Sequence, residues 1–358
     1  MTTRTTNLDT EKADTRTAEL KRAPVLVKET QAAIEKISRR LDAPLVCYWI
    51  SVNGSICHND VVAMNEILKR LNKERKLYIF IKSDGGTGQV ALRLVNLLRR
   101  KCKQLVALVP LNCESAATML ALGADEIQMG PMAYLTAVDT SIVHDLSPID
   151  RDNDRVRVGT NELQRILALW EGQAGDVSAH KRKERGASPP KNPYEEIYRY
   201  IHPLVVGAVD RAGSLATMLC SQILSYHIKN EALRERIAHR LNNDYPSHSY
   251  PIVLREAQQI GLHAKEMAPE LEQDLMGLNE IYSEMGQRCR TDFDEFNHHD
   301  NEIVNILETG GVQIYFQVDK DWHFRQNDRT WVFTNEKSRW NVWRDVNGEM
   351  VGDQLHIR

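Results

Sequence analysis

A chain of 358 residues with a formal net charge of −3 is long enough to bury a full core, and its charge offers no electrostatic reason to invoke nucleic acid. The six cysteines (Cys47, Cys57, Cys102, Cys113, Cys220, Cys289) form no Cys-x-x-Cys pair, which argues against a zinc site or a disulfide framework. No uninterrupted apolar run reaches the roughly 18 residues of a membrane span, and the polar start Met1-Thr-Thr-Arg has no signal-peptide core, so a cytoplasmic protein without an integral membrane segment is expected.

Residues 1–24 are polar and charged, as in a disordered tail. An amphipathic helix over 30–41 leads into an apolar strand over 45–52, and a helix over 59–71 has Asn59 or Asp60 as its cap. Strands at 77–81 and 105–109 then alternate with helices, the pattern of a parallel sheet. The first of these strands runs into Ser83-Asp-Gly85-Gly86-Thr-Gly88. The second runs through Pro110-Leu-Asn-Cys-Glu into Ser115 and a helix of small and apolar residues.

Two strand-turn-helix units in tandem align their strand ends along one sheet edge, so Ser115 at one helix start can face the glycine turn of its neighbour. A serine hydroxyl needs a base to take its proton and fixed donors for the negative oxygen that its attack creates. Gly85 and Gly86 lack a Cβ, so their amides can approach a substrate carbonyl closely. Taken singly, such a glycine pair is also a common turn or phosphate cradle, and such a serine is also a common helix cap. Cys113 reads better as a small buried hydrophobe than as a second nucleophile.

These residues carry a resemblance. The chain resembles the serine dehydrogenase proteinase family, a branch of the signal peptide peptidase A group within the Clp protease and crotonase superfamily. Ser-Asp-Gly85-Gly86 stands where that family has Thr/Ser-Pro-Gly-Gly, and Ser115-Ala-Ala-Thr with Ala124-Asp-Glu-Ile stands where it has Ser-Ala-Gly-Thr and Ala-Asp-Glu-Ile. Two further matches begin at His202-Pro-Leu-Val and at Tyr245-Pro-Ser-His248, the latter ahead of Arg255-Glu-Ala-Gln-Gln-Ile-Gly-Leu. The likeness spans roughly residues 43–262. It departs at Asp84, in place of the turn proline, at Ala117, in place of a glycine, and at Leu135-Thr-Ala-Val-Asp139-Thr, in place of Leu-Gly-Pro-Ile-Asp-Pro. Asp84 would put a carboxylate, and Ala117 a methyl group, near the developing oxyanion.

The resemblance implies an α/β Clp protease/crotonase-like core with a parallel sheet, and a serine-type endopeptidase with Ser115 as nucleophile, Gly85 and Gly86 as oxyanion donors, and no cofactor or metal. Two bases stay open. Signal peptide peptidase A enzymes use a lysine before a long helix, and Lys181, or Lys183, stands in a comparable place, although the run His180-Lys-Arg-Lys-Glu-Arg reads as hydrated. His248 precedes the Glu256-Ala element, where Clp-type proteases have the aspartate that orients their histidine, and an imidazole needs no exceptional surroundings to act near neutral pH. Asp139 could orient a base or cap a turn, and His202, before Pro203, reads as a cap. A catalytically silent peptide-binding or scaffolding relative and crotonase-like acyl-thioester chemistry are the competing functions.

Residues 177–192 read as a linker, followed by a helix pair over 193–241. A helical stretch continues to about residue 307, where Gly310-Gly311 breaks it, and a strand starts at Val312. Four of the six tryptophans (Trp322, Trp331, Trp340, Trp343) crowd the C-terminal end, separated by polar turns as in a small meander. The expected organisation is a tail (1–24), a peptidase domain (25–265), a helical extension (266–308) and a Trp-rich β unit (309–358). A peptide or protein substrate is the expected partner. A homo-oligomer is expected as well, closed through the apolar positions Leu204, Val205, Ala208 and Leu215.

Overall fold

The computed structural model describes residues 19–151, 154–159 and 197–357, together with 161–163, 165, 166, 169 and 195. The chain runs α1 (Val27–Leu41), β1 (Leu45–Ile50), α2 (His58–Leu68), β2 (Glu74–Lys82), α3 (Gly88–Arg99), β3 (Cys102–Val109), β4 (Asn112–Cys113), α4 (Ala116–Leu122), β5 (Glu126–Met129), β6 (Tyr134–Leu135), β7 (Ser141–Ile142) and β8 (Val158–Gly159). After the partly described stretch come α5 (Pro203–Leu224), α6 (Glu231–His239), a π-helical turn (Arg240–Asp244), α7 (Leu254–Gln259), β9 (Ala264–Glu266) and α8 (Pro269–Met285). Six strands complete it: β10 (Cys289–Asp292), β11 (Asn297–Thr309), β12 (Val312–Arg325), β13 (Thr330–Glu336), β14 (Arg339–Val346) and β15 (Glu349–Leu355).

One large mixed sheet organises the molecule, in the order β15-β14-β12-β11-β1-β2-β3-β5-β9. The part from β1 to β9 is parallel, and its central strands are apolar without alternation because helices cover both faces. On one face α2, α3, α4, α5, α6 and α7 enclose the larger core, and on the other α1 and α8 enclose the second. Ile34 and Ile37 of α1 are almost wholly buried there. Truncating either to alanine would cost about 2–5 kcal/mol, the usual range for a buried large aliphatic side chain.

The C-terminal strands are not a separate unit. β11 pairs antiparallel with β1, Cys47 opposite Glu308, and thereby continues the sheet of the main domain. Nor is 286–307 helical. α8 ends at Gly286, where a Cβ would lie 2.4 Å from the Trp49 ring, and Asn297–Thr309 is a buried strand. Its polar run His298-His-Asp-Asn is compatible with burial because partners stand ready: His299 bonds Asp321 at 2.8 Å, and Asp300 meets Arg288 at 2.6 Å. Trp340 joins the larger core, whereas Trp331 is half-exposed. The expected tail is ordered at its end, where the amides of Lys21 and Ala23 donate to Thr291 and Asn301. Residues 1–18 lie outside the described residues.

By length and composition α5 could cross a membrane, since a window of it reaches a mean hydropathy of 1.3 even though Asp210 and Arg211 interrupt its apolar run. The expected oligomer face on this helix is partly covered by the same chain. Val205 packs with Val158, Leu163 and Val209, while Leu204 is exposed.

Candidate active site

A ladder of short backbone bridges gathers the site at the carboxyl ends of the parallel strands. Gly86 pairs with Ile56, Ser83 with Cys113, Cys113 with Leu135, and Leu135 with Ile252. Each rung is locked by backbone hydrogen bonds, among them Ile56 N to Gly85 O (2.8 Å), Glu114 N to Ser83 O (2.9 Å) and Ile252 N to Leu135 O (2.8 Å). Ser115 lies two residues beyond one rung, Asp139 four beyond the next, and His248 four before the last. Segments distant in sequence therefore deliver their side chains to one cleft of about 470 Å³, which Gly86, Ser115, Ala116, Asp139 and His248 all line.

Ser115 occupies the turn between β4 and α4 with φ 51° and ψ −116°, a region that a non-glycine residue enters only when its surroundings hold it there. Its amide donates to Thr136 Oγ1 at 2.8 Å, and the Thr136 amide in turn donates to Thr118 Oγ1 at 3.1 Å. Thr118 anchors this relay by donating to the Cys113 carbonyl at 2.7 Å. The strained turn is thus held by two buried hydroxyls that the sequence reading did not single out. Cys113 itself is fully buried, and burial pushes its thiol well above its ordinary range, which removes it as a nucleophile.

The glycine turn abuts the serine directly. A Cβ on Gly85 would lie 2.7 Å from Ser115 Cβ and 3.3 Å from Ala116 N, and one on Gly86 would meet the backbone of Ile56 at 2.5 Å. Both glycines have positive φ, 103° and 144°. Their amides differ in availability. Gly85 N donates to Ser83 Oγ at 3.0 Å and is buried, whereas the amides of Gly86 and Ala116, both residues of the cleft lining, donate to no group among the described residues.

His248 Nδ1 lies 2.8 Å from Asp139 Oδ1, and the second oxygen of Asp139 accepts from Asn161 Nδ2 at 2.9 Å. Asp139 raises the imidazole pKa above its ordinary 6.5 by hydrogen bonding and charge, against a smaller opposing effect of burial. With Nδ1 committed to the carboxylate, Nε2 is left to exchange protons. Lys181 and Lys183 lie outside the described residues. His202 caps α5, its Nδ1 accepting from the Leu204 amide at 3.2 Å.

Asp84 and Ala117 stand differently with respect to the cleft. The Asp84 carboxylate lines the cleft and accepts a hydrogen bond from Asn112. The Ala117 methyl does not reach the cleft, because Ala117 is fully buried in the larger core. Among the described residues no group of three or more His, Cys, Asp or Glu side chains is arranged to hold a metal ion.

No family model matches the chain, nor does any curated protein. Among solved structures it is similar to 1510-N, a membrane-bound stomatin-specific protease in a serine-to-alanine mutant form, at 12% identity and a TM-score of 0.36 over 69% of this chain and 88% of that one. A lysine-to-alanine mutant of the same protease, in complex with a substrate peptide, is similar at 14% identity and a TM-score of 0.25 over 64% and 95%. Both are proteases of low identity to this chain, and the functional reading rests on the geometry of its own site.

Proposed function

We propose that the protein is a serine peptidase with a Clp protease/crotonase-like core, in which Ser115, His248 and Asp139 act together. The observation that carries this reading is the 2.8 Å bond between His248 and Asp139 at the mouth of the cleft that holds Ser115 in its strained turn. His248 Nε2 takes the proton of Ser115 Oγ as the oxygen attacks a peptide carbonyl carbon. The resulting oxyanion is received by the free amides of Gly86 and Ala116, so the donor role assigned to Gly85 from the sequence passes to Ala116. Collapse breaks the C–N bond, and His248 returns the proton to the leaving amine. A water molecule, deprotonated by the same imidazole, then hydrolyses the acyl-serine. Asp139 holds the ring orientation and offsets the charge of the imidazolium.

A peptide in extended form suits a cleft of this size, and a cytoplasmic location remains part of the proposal. Labelling with a fluorophosphonate tests it: adduct at Ser115 in the wild type and none in Ser115→Ala supports the reading. Acyl-thioester chemistry or a silent peptide-binding role predicts no adduct in either.

A further inference from the structure

The glycine turn runs past Ser115 with unlike surroundings at its two ends. At Gly85 it abuts the serine, since a Cβ there would lie 2.7 Å from Ser115 Cβ. Further on, a Cβ on Gly88 would meet Met119 Sδ at 3.0 Å and Leu219 Cδ1 at 3.6 Å, and Ala212, Leu215 and Ala216 of α5 extend this apolar end of the cleft. One residue before Gly85 the character reverses. Asp84 is exposed, lines the same cleft and accepts a hydrogen bond from Asn112 Nδ2. That neutral donor leaves its charge uncompensated, and Asp84 makes no ion pair among the described residues. Both neighbouring cations are engaged elsewhere. The Lys82 ammonium donates to the Ile50 carbonyl at 2.9 Å and lies 5.0 Å from the centre of the Trp49 ring, and Arg157, which also lines the cleft, donates to the Ser141 carbonyl at 3.2 Å.

Building on the serine-peptidase reading, we propose that Asp84 selects peptides with a lysine or arginine side chain next to the scissile bond, on the side away from the apolar end of the cleft. An uncompensated carboxylate beside the oxyanion turn opposes the negative charge that forms there as Ser115 attacks. A substrate cation seated against Asp84 removes that opposition. The pairing therefore acts on the transition state as well as on binding, and a peptide without the cation is penalised in turnover.

Mass-spectrometric mapping of the bonds cut in a random peptide mixture, followed by kinetics on the best-cut peptide and its glutamine counterpart, tests this. Lysine and arginine are expected to be enriched at one position beside the cleaved bond. The wild type is expected to favour the lysine peptide at least about fivefold in kcat/KM, with the ratio shrinking as salt rises, because Asp84 is exposed and its field is screened. Asp84→Asn keeps an acceptor for Asn112 and removes the charge. It is expected to bring the ratio close to one, slowing the lysine peptide and speeding the glutamine peptide, whereas loss of folding or of the nucleophile would slow both. Asp84→Lys is expected to turn the preference toward a glutamate peptide. Cleavage without enrichment of a basic residue, or a ratio that Asp84→Asn leaves unchanged, overturns the proposal, while fluorophosphonate adduct at Ser115 keeps the peptidase reading intact. A wild type with neither adduct nor cleavage removes both.

Discussion

His248 and Asp139 meet at 2.8 Å although 109 positions separate them in the chain, and the imidazole remains 49% exposed while the carboxylate is 13% exposed. A histidine so placed is reachable by a substrate on one side and electrostatically anchored on the other. Because Asp139 raises its pKa, and because only the neutral ring accepts a proton, hydrolysis should rise with pH through a midpoint above the ordinary 6.5. In Asp139→Asn the midpoint should move down as kcat falls. A pH profile of kcat/KM on both proteins checks the shift, and a midpoint that stays in place would remove Asp139 as the cause. The same pair stabilises the fold below pH 6.5, and that contribution is lost as pH rises through the raised value, with solvent screening keeping it small.

Loss of the base should outweigh loss of its orienting partner. His248→Ala is expected to lower peptide hydrolysis by about two to four orders of magnitude, the scale of a general base, and Asp139→Asn by less. Lys181→Ala is expected to change turnover little. Steady-state kinetics on the three variants decides the matter: a Lys181→Ala enzyme that is dead beside an active His248→Ala enzyme would assign the base to the lysine.

The glycine turn should tolerate no side chain. In Gly85→Ala the new methyl collides with Ser115 Cβ and the Glu114 carbonyl at 2.7 and 2.9 Å, and in Gly86→Ala it collides with the backbone of Ile56 at 2.5 Å. Both sites also have φ values that side chains disfavour, so each variant is expected to lose about 1–3 kcal/mol of stability. Gly85→Ala should also lose fluorophosphonate labelling, since it displaces the nucleophile. Denaturant titration and labelling rate measure the two effects, and full labelling of Gly85→Ala would contradict the close contact.

Away from the site, Glu308 is a buried carboxyl that accepts from Thr30, Gln31, Tyr282 and Gln313. Burial raises its pKa from 4.5 to about 7, against the lowering effect of those donors. The folded state then holds a proton that the unfolded chain releases, so this group's contribution is complete below pH 4.5 and is lost as pH rises toward about 7. Glu308→Gln should flatten that part of the stability curve. It should also lower stability overall by about 1–3 kcal/mol, because its amide N–H atoms would face donors. Urea unfolding between pH 4 and 8 measures both, and an unchanged slope would assign the pH dependence to another group such as Asp60.

The parallel part of the fold was legible because it is written locally. Continuous apolar strands at 45–50 and 105–109, the glycine turn and the small-residue helix after Ser115 each depend on neighbours within about ten positions. Period and turn chemistry report such neighbours directly. For the same reason the turns that hold Ser115 and Gly86 could be placed from sequence.

The rest depended on who pairs with whom at long range. Nothing near Asp139 in sequence distinguishes a carboxylate that meets a histidine from a turn cap until the rung between Leu135 and Ile252 brings His248 to it. The Gly85 amide is engaged by a hydroxyl two residues away, Ser83, whose direction only the folded turn sets. The stretch to about residue 307 reads as helical in sequence, yet 297–309 is a strand. It is a strand because Asp319, Asp321 and Arg288, from adjoining strands and the turn before β10, satisfy its polar groups once the sheet has formed. Local pattern therefore determined the parallel elements and the serine turn, and tertiary pairing decided which groups gather around that turn and the fate of the C-terminal strands, since a hydrogen-bond partner is a property of space and not of sequence distance.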